Sequence, residues 1–272
     1  MNSKIIRSNT EKLTYVFDLD GVIYRGMEPQ PYAVESVNAL LEKGHNVYYF
    51  TNNACHTRLF YKNKLHGMGV ETQLDHIMTS AYAAALYMTE IYGDMAGKSV
   101  YVVGMDGIFD EMERLGMKCY GKDGELQVTY FVVCGLDRNM TYNKIWGAMN
   151  AIRNGAVFIA TNRDKTFPLE QGMFAPAGGV CVASIQECTG VDPYVCGKPN
   201  TYVLDKIMRI TSSDKEHTIM IGDRLDTDIE VANNACITAC LVLGGCSAKE
   251  EAQAAQGKLK PHYIIDDLRV LV

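Results

Sequence analysis

The chain has 272 residues, of which 47% are hydrophobic and 21% charged, enough for one large core or two smaller ones. The charges are spread without long runs, which excludes global disorder. A net charge of −6 excludes a nucleic-acid polymer as the expected partner, because neutralising a phosphate backbone takes a basic face, whereas a small phosphorylated ligand needs only a local site or a metal.

In chain order, Leu13 to Phe17 (LTYVF) predicts a buried strand ending at Asp18. Residues 31–43 predict a helix with Ala33, Val37, Leu40 and Leu41 on one face, opened near Pro31 and closed near Gly44. Asn46 to Phe50 (NVYYF) predicts a second strand, followed at once by Thr51, and 57–66 a second helix. The alternation continues with helices at 81–92, 107–115, 142–153, 179–188, 199–210, 226–235 and 248–255, and strands at 99–103, 128–134, 156–160, 217–221, 237–243 and 262–265. Strand–helix alternation of this kind implies an α/β fold with parallel sheet covered by helices. No Pro-rich or Ser-rich linker, internal repeat or low-complexity tract interrupts it.

The longest apolar run, Ile237 to Cys246, is too short and too glycine-rich for the ~18 residues of a membrane helix. The opening MNSKIIRSNTEK lacks the apolar stretch of a secretory signal. Nine cysteines without a Cys-x-x-Cys pair read as reduced cytosolic thiols packed as small hydrophobes. No membrane contact is expected, and the expected location is cytoplasmic.

Four short motifs carry the chemistry. Asp18-Leu19-Asp20-Gly21 follows the first strand, and in an open parallel sheet ligands gather beyond the carboxyl ends of strands. Two carboxyl groups at i and i+2 there would divide two tasks, nucleophile and proton carrier, with Gly21 allowing the sharp turn behind them; the plain alternative is an acidic turn capping a strand. Gly222-Asp223-Arg224-Leu225-Asp226-Thr227-Asp228 also follows an apolar strand, so Asp223 would share the sheet edge with Asp18, and gathered carboxylates call for a hard cation such as Mg²⁺. Asp226 or Thr227 would equally serve as a helix cap. Thr51-Asn52-Asn53 would hold phosphate oxygens with a hydroxyl and backbone N–H groups, or form an ordinary turn. Lys198, in Gly197-Lys198-Pro199, would neutralise a phosphate and an attacking carboxylate, or be a solvated surface charge.

Taken in this order, the set resembles the haloacid dehalogenase superfamily of phosphatases, and TNN at 51–53, GKP at 197–199 and GDRLDTDI at 222–229 look like its NagD and p-nitrophenylphosphatase branch, which includes phosphoglycolate phosphatases. The resemblance implies a Rossmann-like core at 1–79 and 179–272 and an inserted α/β cap at 80–178 that sets substrate specificity, with Ala175-Pro176-Ala177-Gly178-Gly179-Val180 returning the chain to the core. It implies Asp18 as nucleophile, Asp20 as acid and then base, and Thr51, Asn52, Asn53 and Lys198 around the phosphate. It further implies Mg²⁺ on the Asp18 carboxylate, the Asp20 carbonyl and Asp223, with Asp228 holding a metal-bound water. A homodimer through the cap is implied as well. Asp20 favours phosphate chemistry over dehalogenation, and the P-type ATPase pattern Asp-Lys-Thr-Gly is absent.

The expected activity is Mg²⁺-dependent hydrolysis of a small phosphate monoester: a nucleotide, a sugar phosphate, phosphoglycolate or p-nitrophenyl phosphate. A phosphotransferase or phosphomutase would use the same aspartyl-phosphate and differ in the acceptor. A response-regulator-like phospho-acceptor module would also use an Asp, a Thr and a Lys, but it is a single small domain with its extra acids before the phosphorylated Asp. In the cap, Asn162, Arg163, Asp164 and Lys165 would meet the leaving group, or form a solvated polar loop; Asn53 and Arg58 would face substrate, or in the case of Arg58 lie on a helix surface. The six histidines show no metal-ligand spacing and read as structural or surface groups. Trp146 is expected to be buried packing, and Val102 to Gly107 lacks the third glycine of a dinucleotide fingerprint.

Overall fold

The computed structural model describes residues 11–168 and 173–272. Its contacts divide the chain into two compact units. One comprises the described part of Met1–Thr51, with Tyr61–Met78 and Lys198–Val272; the other comprises Asn52–Phe60 and Thr79–Gly197.

The first unit is built on a six-stranded sheet in the order Tyr263–Ile265, Thr238–Val242, Thr218–Gly222, Thr14–Phe17, Asn46–Thr51, Ile77–Thr79. Thr14–Phe17 is the central strand, parallel to both neighbours, with Phe17 opposite Ile221 on one side and Tyr49 on the other. Its four residues are all buried, as a parallel strand covered on both faces must be, and this is why it reads as an unbroken apolar run and not as an alternation. Tyr15, Phe17, Leu19, Tyr49, Ile219 and Ile221 form the middle of the core. The helix Ala33–Glu42 turns Ala33, Ser36, Val37 and Leu40 inward, with Leu41 half-buried at the margin. Placing the ends of Thr14–Phe17 and Thr218–Gly222 side by side brings Asp18 and Asp223 to one edge: Asp18 N–H donates to the Ile221 carbonyl at 2.8 Å.

The second unit has a separate five-stranded sheet, ordered Tyr194–Val195, Val157–Ala160, Phe131–Cys134, Ser99–Val103, Lys118–Tyr120, with every pairing parallel. A two-stranded antiparallel hairpin, Thr166–Pro168 with Phe174–Pro176, belongs to the same unit.

The expected return to the core at 179 falls later, at Lys198. The helix Gly178–Thr189 buries Cys181, Val182 and Ile185 against Val132 and Cys134 of the second sheet, and Tyr194–Val195 then forms that sheet's edge strand. Residues 175–180 thus enter a helix of the second unit and do not lead back to the first. Trp146 corrects another expectation: the helix Tyr142–Arg153 buries Lys144, Gly147, Ala148, Ala151 and Ile152, and Trp146 lies on the other face, 45% exposed. The strand expected from 128 begins only at Phe131, with Val128 and Tyr130 exposed. Among the described residues no helix is long and apolar enough to cross a membrane.

Candidate active site

Three buried carboxyl groups meet at the sheet edge of the first unit. Asp18, Asp223 and Asp228 each offer an oxygen, and these oxygens lie within 4.8 Å of one another; among the described residues they are the only group of three or more acidic, histidine or cysteine side chains so placed. Lys198 sits among them, wholly buried, and its Nζ donates to Asp18 Oδ1 at 2.6 Å, Asp228 Oδ1 at 2.6 Å and the Phe50 carbonyl at 2.9 Å.

Local structure explains how each side chain gets there. Asp18 continues the central strand. Asp223 follows the strand Thr218–Gly222 directly, and its backbone N–H, with that of Arg224, donates to Asp228 Oδ2, both at 3.1 Å. This loop-back is why the helix expected at 226–235 starts differently: Leu225–Ile229 is wound as a wide π-type turn, and the α-helix occupies only Glu230–Ala235. Neither Asp226 nor Thr227 caps it. Asp226 is exposed and pairs with Arg224, and Thr227 is buried.

The electrostatics are those of an acidic cluster with one cation. Burial pushes Asp18 well above the usual carboxylate range; Lys198 opposes that rise, and Asp228 and Asp223 add to it. Asp223 is pushed up to about 6, by burial first and by Asp228 second. Burial alone would lower Lys198, but Asp18 and Asp228 beside it carry its pKa above the ordinary lysine value. Three carboxylates against one ammonium leave two negative charges when all are ionised. Asp223 Oδ1 is moreover a buried oxygen with no hydrogen-bond partner, an arrangement that costs free energy without a cation or proton to face. An all-oxygen donor set with that charge suits a hard divalent ion such as Mg²⁺.

The other predicted residues separate into two groups. Asp20 is exposed at the turn after Asp18, where its main chain bridges to Tyr24 and Gly21 N–H donates to the Tyr24 carbonyl at 2.8 Å. Gly21 has φ +85°, and a Cβ there would overlap the Asp223 carboxylate, so the turn and the close approach both require glycine. Thr51 is buried at the end of Asn46–Thr51.

Asn52 and Asn53 belong with the second unit, and their side chains are engaged there. Asn52 Nδ2 donates to Asp164 Oδ1 at 3.0 Å, while the Asn52 carbonyl accepts from Ser80 Oγ and Asn162 Nδ2 at 2.6 and 2.7 Å. Asn53 Oδ1 accepts from Cys55 N–H, a local turn. Both side chains, and the Asn52 carbonyl, are thus engaged within the second unit. Asn162 and Asp164 are accordingly parts of an internal network, while Arg163 and Lys165 are both exposed and Arg163 pairs with Gln186. Leu169 to Gly172, within the expected specificity segment 161–174, lie outside the described residues. Arg58 is a buried group and no helix-surface charge: it pairs with Glu111 through Nε at 2.6 Å and Nη2 at 3.2 Å and lies over the Tyr82 ring.

Sequence reasoning missed the turn Gly244-Gly245-Cys246-Ser247. Cys246 N–H donates to Asp223 Oδ2 at 2.7 Å. The signal was present: a Gly-Gly pair closes the strand next to the one that carries Asp223, on the same sheet edge.

Residues 15–118 match a family model described as haloacid dehalogenase-like hydrolase, and residues 195–271 a second, HAD-hydrolase-like model. A 4-nitrophenylphosphatase of Schizosaccharomyces pombe is 31% identical over 94% of this chain and 92% of its own length. A 5′-nucleotidase of Bacillus subtilis is 34% identical over 93% of this chain and 95% of its own. The crystal structure of a glycerol phosphate phosphatase from Mycobacterium tuberculosis in complex with magnesium superposes with a TM-score of 0.84 at 31% identity, covering 98% of this chain and 77% of that one.

Proposed function

We propose that this chain, which belongs to the haloacid dehalogenase-like hydrolases in the branch of the nitrophenyl phosphatases and is a phosphoric monoester hydrolase, releases phosphate from small phosphorylated metabolites through a covalent intermediate on Asp18. The observation that carries this reading is Lys198 Nζ bridging Asp18 and Asp228 beside the unpartnered Asp223 Oδ1.

Lys198 holds Asp18 Oδ1, which leaves Oδ2 to attack phosphorus. As that P–O bond forms, the ester P–O bond breaks, and the Asp20 carboxyl gives its proton to the departing alkoxide. Asp20, now a carboxylate at an exposed turn, takes a proton from water as that water attacks the same phosphorus; the bond to Asp18 breaks and inorganic phosphate leaves. Lys198 and the Thr51 hydroxyl hold phosphoryl oxygens throughout. Asp18, Asp223 and the Asp20 carbonyl would hold Mg²⁺, with Asp228 supporting it through water, and the ion supplies charge neutralisation and in-line orientation.

The substrate class follows from the names of the relatives: 4-nitrophenyl phosphate, a 5′-nucleotide and glycerol phosphate are all small monoesters. The second unit is the specificity module in this reading. The family resemblance supports a homodimer through it, which light scattering tests. Nine unpaired thiols suit a reducing cytosol.

The deciding experiment is phosphate release from a panel of monoesters, with Mg²⁺ and with EDTA, for the wild type and Asp18→Asn. Mg²⁺-dependent release that disappears in the variant is the expected result. Release that survives in Asp18→Asn removes the nucleophile from this scheme, and release only onto an added sugar acceptor makes the enzyme a transferase.

A further inference from the structure

Asp223 is held from behind by a turn that belongs to a different strand. The turn Gly244–Ser247 follows Thr238–Val242, the neighbour of the strand that ends at Asp223. Three hydrogen bonds join turn and loop: Cys246 N–H to Asp223 Oδ2 at 2.7 Å, Ser247 N–H to the Asp223 carbonyl at 3.0 Å, and Leu225 N–H to Ser247 Oγ at 3.2 Å. The fit is close, since a Cβ at Gly245 would overlap the Asp223 carboxylate. On its outer side the turn is tied by Arg25, whose guanidinium Nη2 donates to the Gly244 carbonyl at 2.6 Å across 219 residues of sequence. Arg25 stands on the short hairpin Tyr24–Arg25 with Glu28–Pro29, and that hairpin begins at the turn carrying Asp20.

These bonds have a directional effect on the carboxylate. One carboxylate oxygen, Oδ2, is occupied by a backbone N–H, and the main chain beside it is bonded to the turn, which fixes the plane in which the other oxygen is presented. Oδ1 is left buried and unpartnered, on a carboxylate grouped with those of Asp18 and Asp228. We propose that Ser247 and Arg25 are positioning residues: through the turn Gly244–Ser247 they fix Asp223 so that Oδ1 alone is presented to a divalent cation. The inference rests on the reading of Asp223 as a metal ligand. Groups that orient a ligand in this way typically contribute 10–100-fold to metal affinity.

Mg²⁺ titration calorimetry on the full-length protein stripped with EDTA tests this without reference to turnover, with the melting temperature of each metal-free variant as a check on folding. Ser247→Ala removes the acceptor for Leu225 N–H, and its Mg²⁺ dissociation constant is expected to rise by about tenfold or more. Ser247→Thr keeps the hydroxyl and should restore most of the affinity. Arg25→Ala, at the surface, should weaken binding about threefold to tenfold with little change in melting temperature, which keeps the idea testable if Ser247→Ala folds poorly. Asp223→Asn is the reference variant. If it loses Mg²⁺ binding while Ser247→Ala and Arg25→Ala bind as the wild type does, the positioning role is overturned and the metal site stands. If Asp223→Asn itself binds Mg²⁺ normally, the metal site falls, and the positioning role with it.

Discussion

Lys198 Nζ donates to Asp18 Oδ1 at 2.6 Å, although 180 residues separate the two in sequence. The same ammonium also reaches Asp228, so removing it leaves three mutually repelling carboxyl groups at one strand end. Lys198→Met should lower kcat with 4-nitrophenyl phosphate by about 10²–10³-fold, the scale on which a single preorganised charge partner acts in the transition state. Lys198→Arg should recover little, because a planar fork does not replace a point charge that serves two carboxylates and a carbonyl. Steady-state kinetics on both variants, with circular dichroism to show an intact fold, decide it; wild-type kcat in Lys198→Met would detach Lys198 from the chemistry.

The buried acidic cluster also predicts a stability that depends on metal. With all three carboxyls ionised, the excess negative charge and an unpartnered Asp223 Oδ1 disfavour the metal-free fold, and a cation that binds only the folded state stabilises it by mass action, about 2.7 kcal/mol at a hundredfold excess over its dissociation constant. Mg²⁺ should therefore raise the melting temperature of the EDTA-treated protein, and the rise should vanish in Asp223→Asn. A thermal shift of equal size in that variant would place the ion elsewhere.

How much of this was legible beforehand depends on how far apart the partners lie in sequence. Thr14–Phe17 and Thr218–Gly222 announce themselves because strands buried on both faces must be apolar throughout, and Asp18 and Asp223 then stand at their carboxyl ends by position alone. Tyr194–Val195 and Ile77–Thr79 are too short to show a period, so sheet membership decides them, and that is what moved the return to the first unit from 179 to Lys198. Arg58 looks like any helix-surface arginine until Glu111, 53 residues on, is brought against it. Asn52 fits a phosphate motif by spacing, but a partner 112 residues away, Asp164, takes its amide.

The Arg58–Glu111 pair makes a stability prediction for the second unit. Both side chains are nearly closed off from water, and Tyr82 covers the guanidinium. Burial raises Glu111, with Arg58 opposing the rise. Glu111→Ala strands a buried guanidinium and should cost about 3–5 kcal/mol, whereas replacing the pair together, Arg58→Met with Glu111→Leu, should cost much less, because breaking a buried pair is worse than exchanging it for apolar packing. Urea unfolding of the three proteins checks the order; equal losses in the single and double variants would mean that the pair is not coupled.

His45 sets an acid limit on the first unit. Its ring is buried against Tyr15, and Nδ1 accepts the Leu13 N–H at 3.1 Å at the start of the central strand, so the folded state needs that nitrogen unprotonated. Burial, with Lys43 and Lys12 nearby, lowers its pKa below the ordinary histidine value. A base whose folded pKa lies below its unfolded one binds more protons when unfolded, so its contribution to stability is complete above about pH 6.5 and is lost as the pH falls from there toward the folded value. The urea midpoint should therefore decline between about pH 6.5 and 5 in the wild type. His45→Gln, which keeps an acceptor for Leu13 N–H but does not titrate, should decline less over the same interval. Parallel curves for the two proteins would assign the acid sensitivity to other groups.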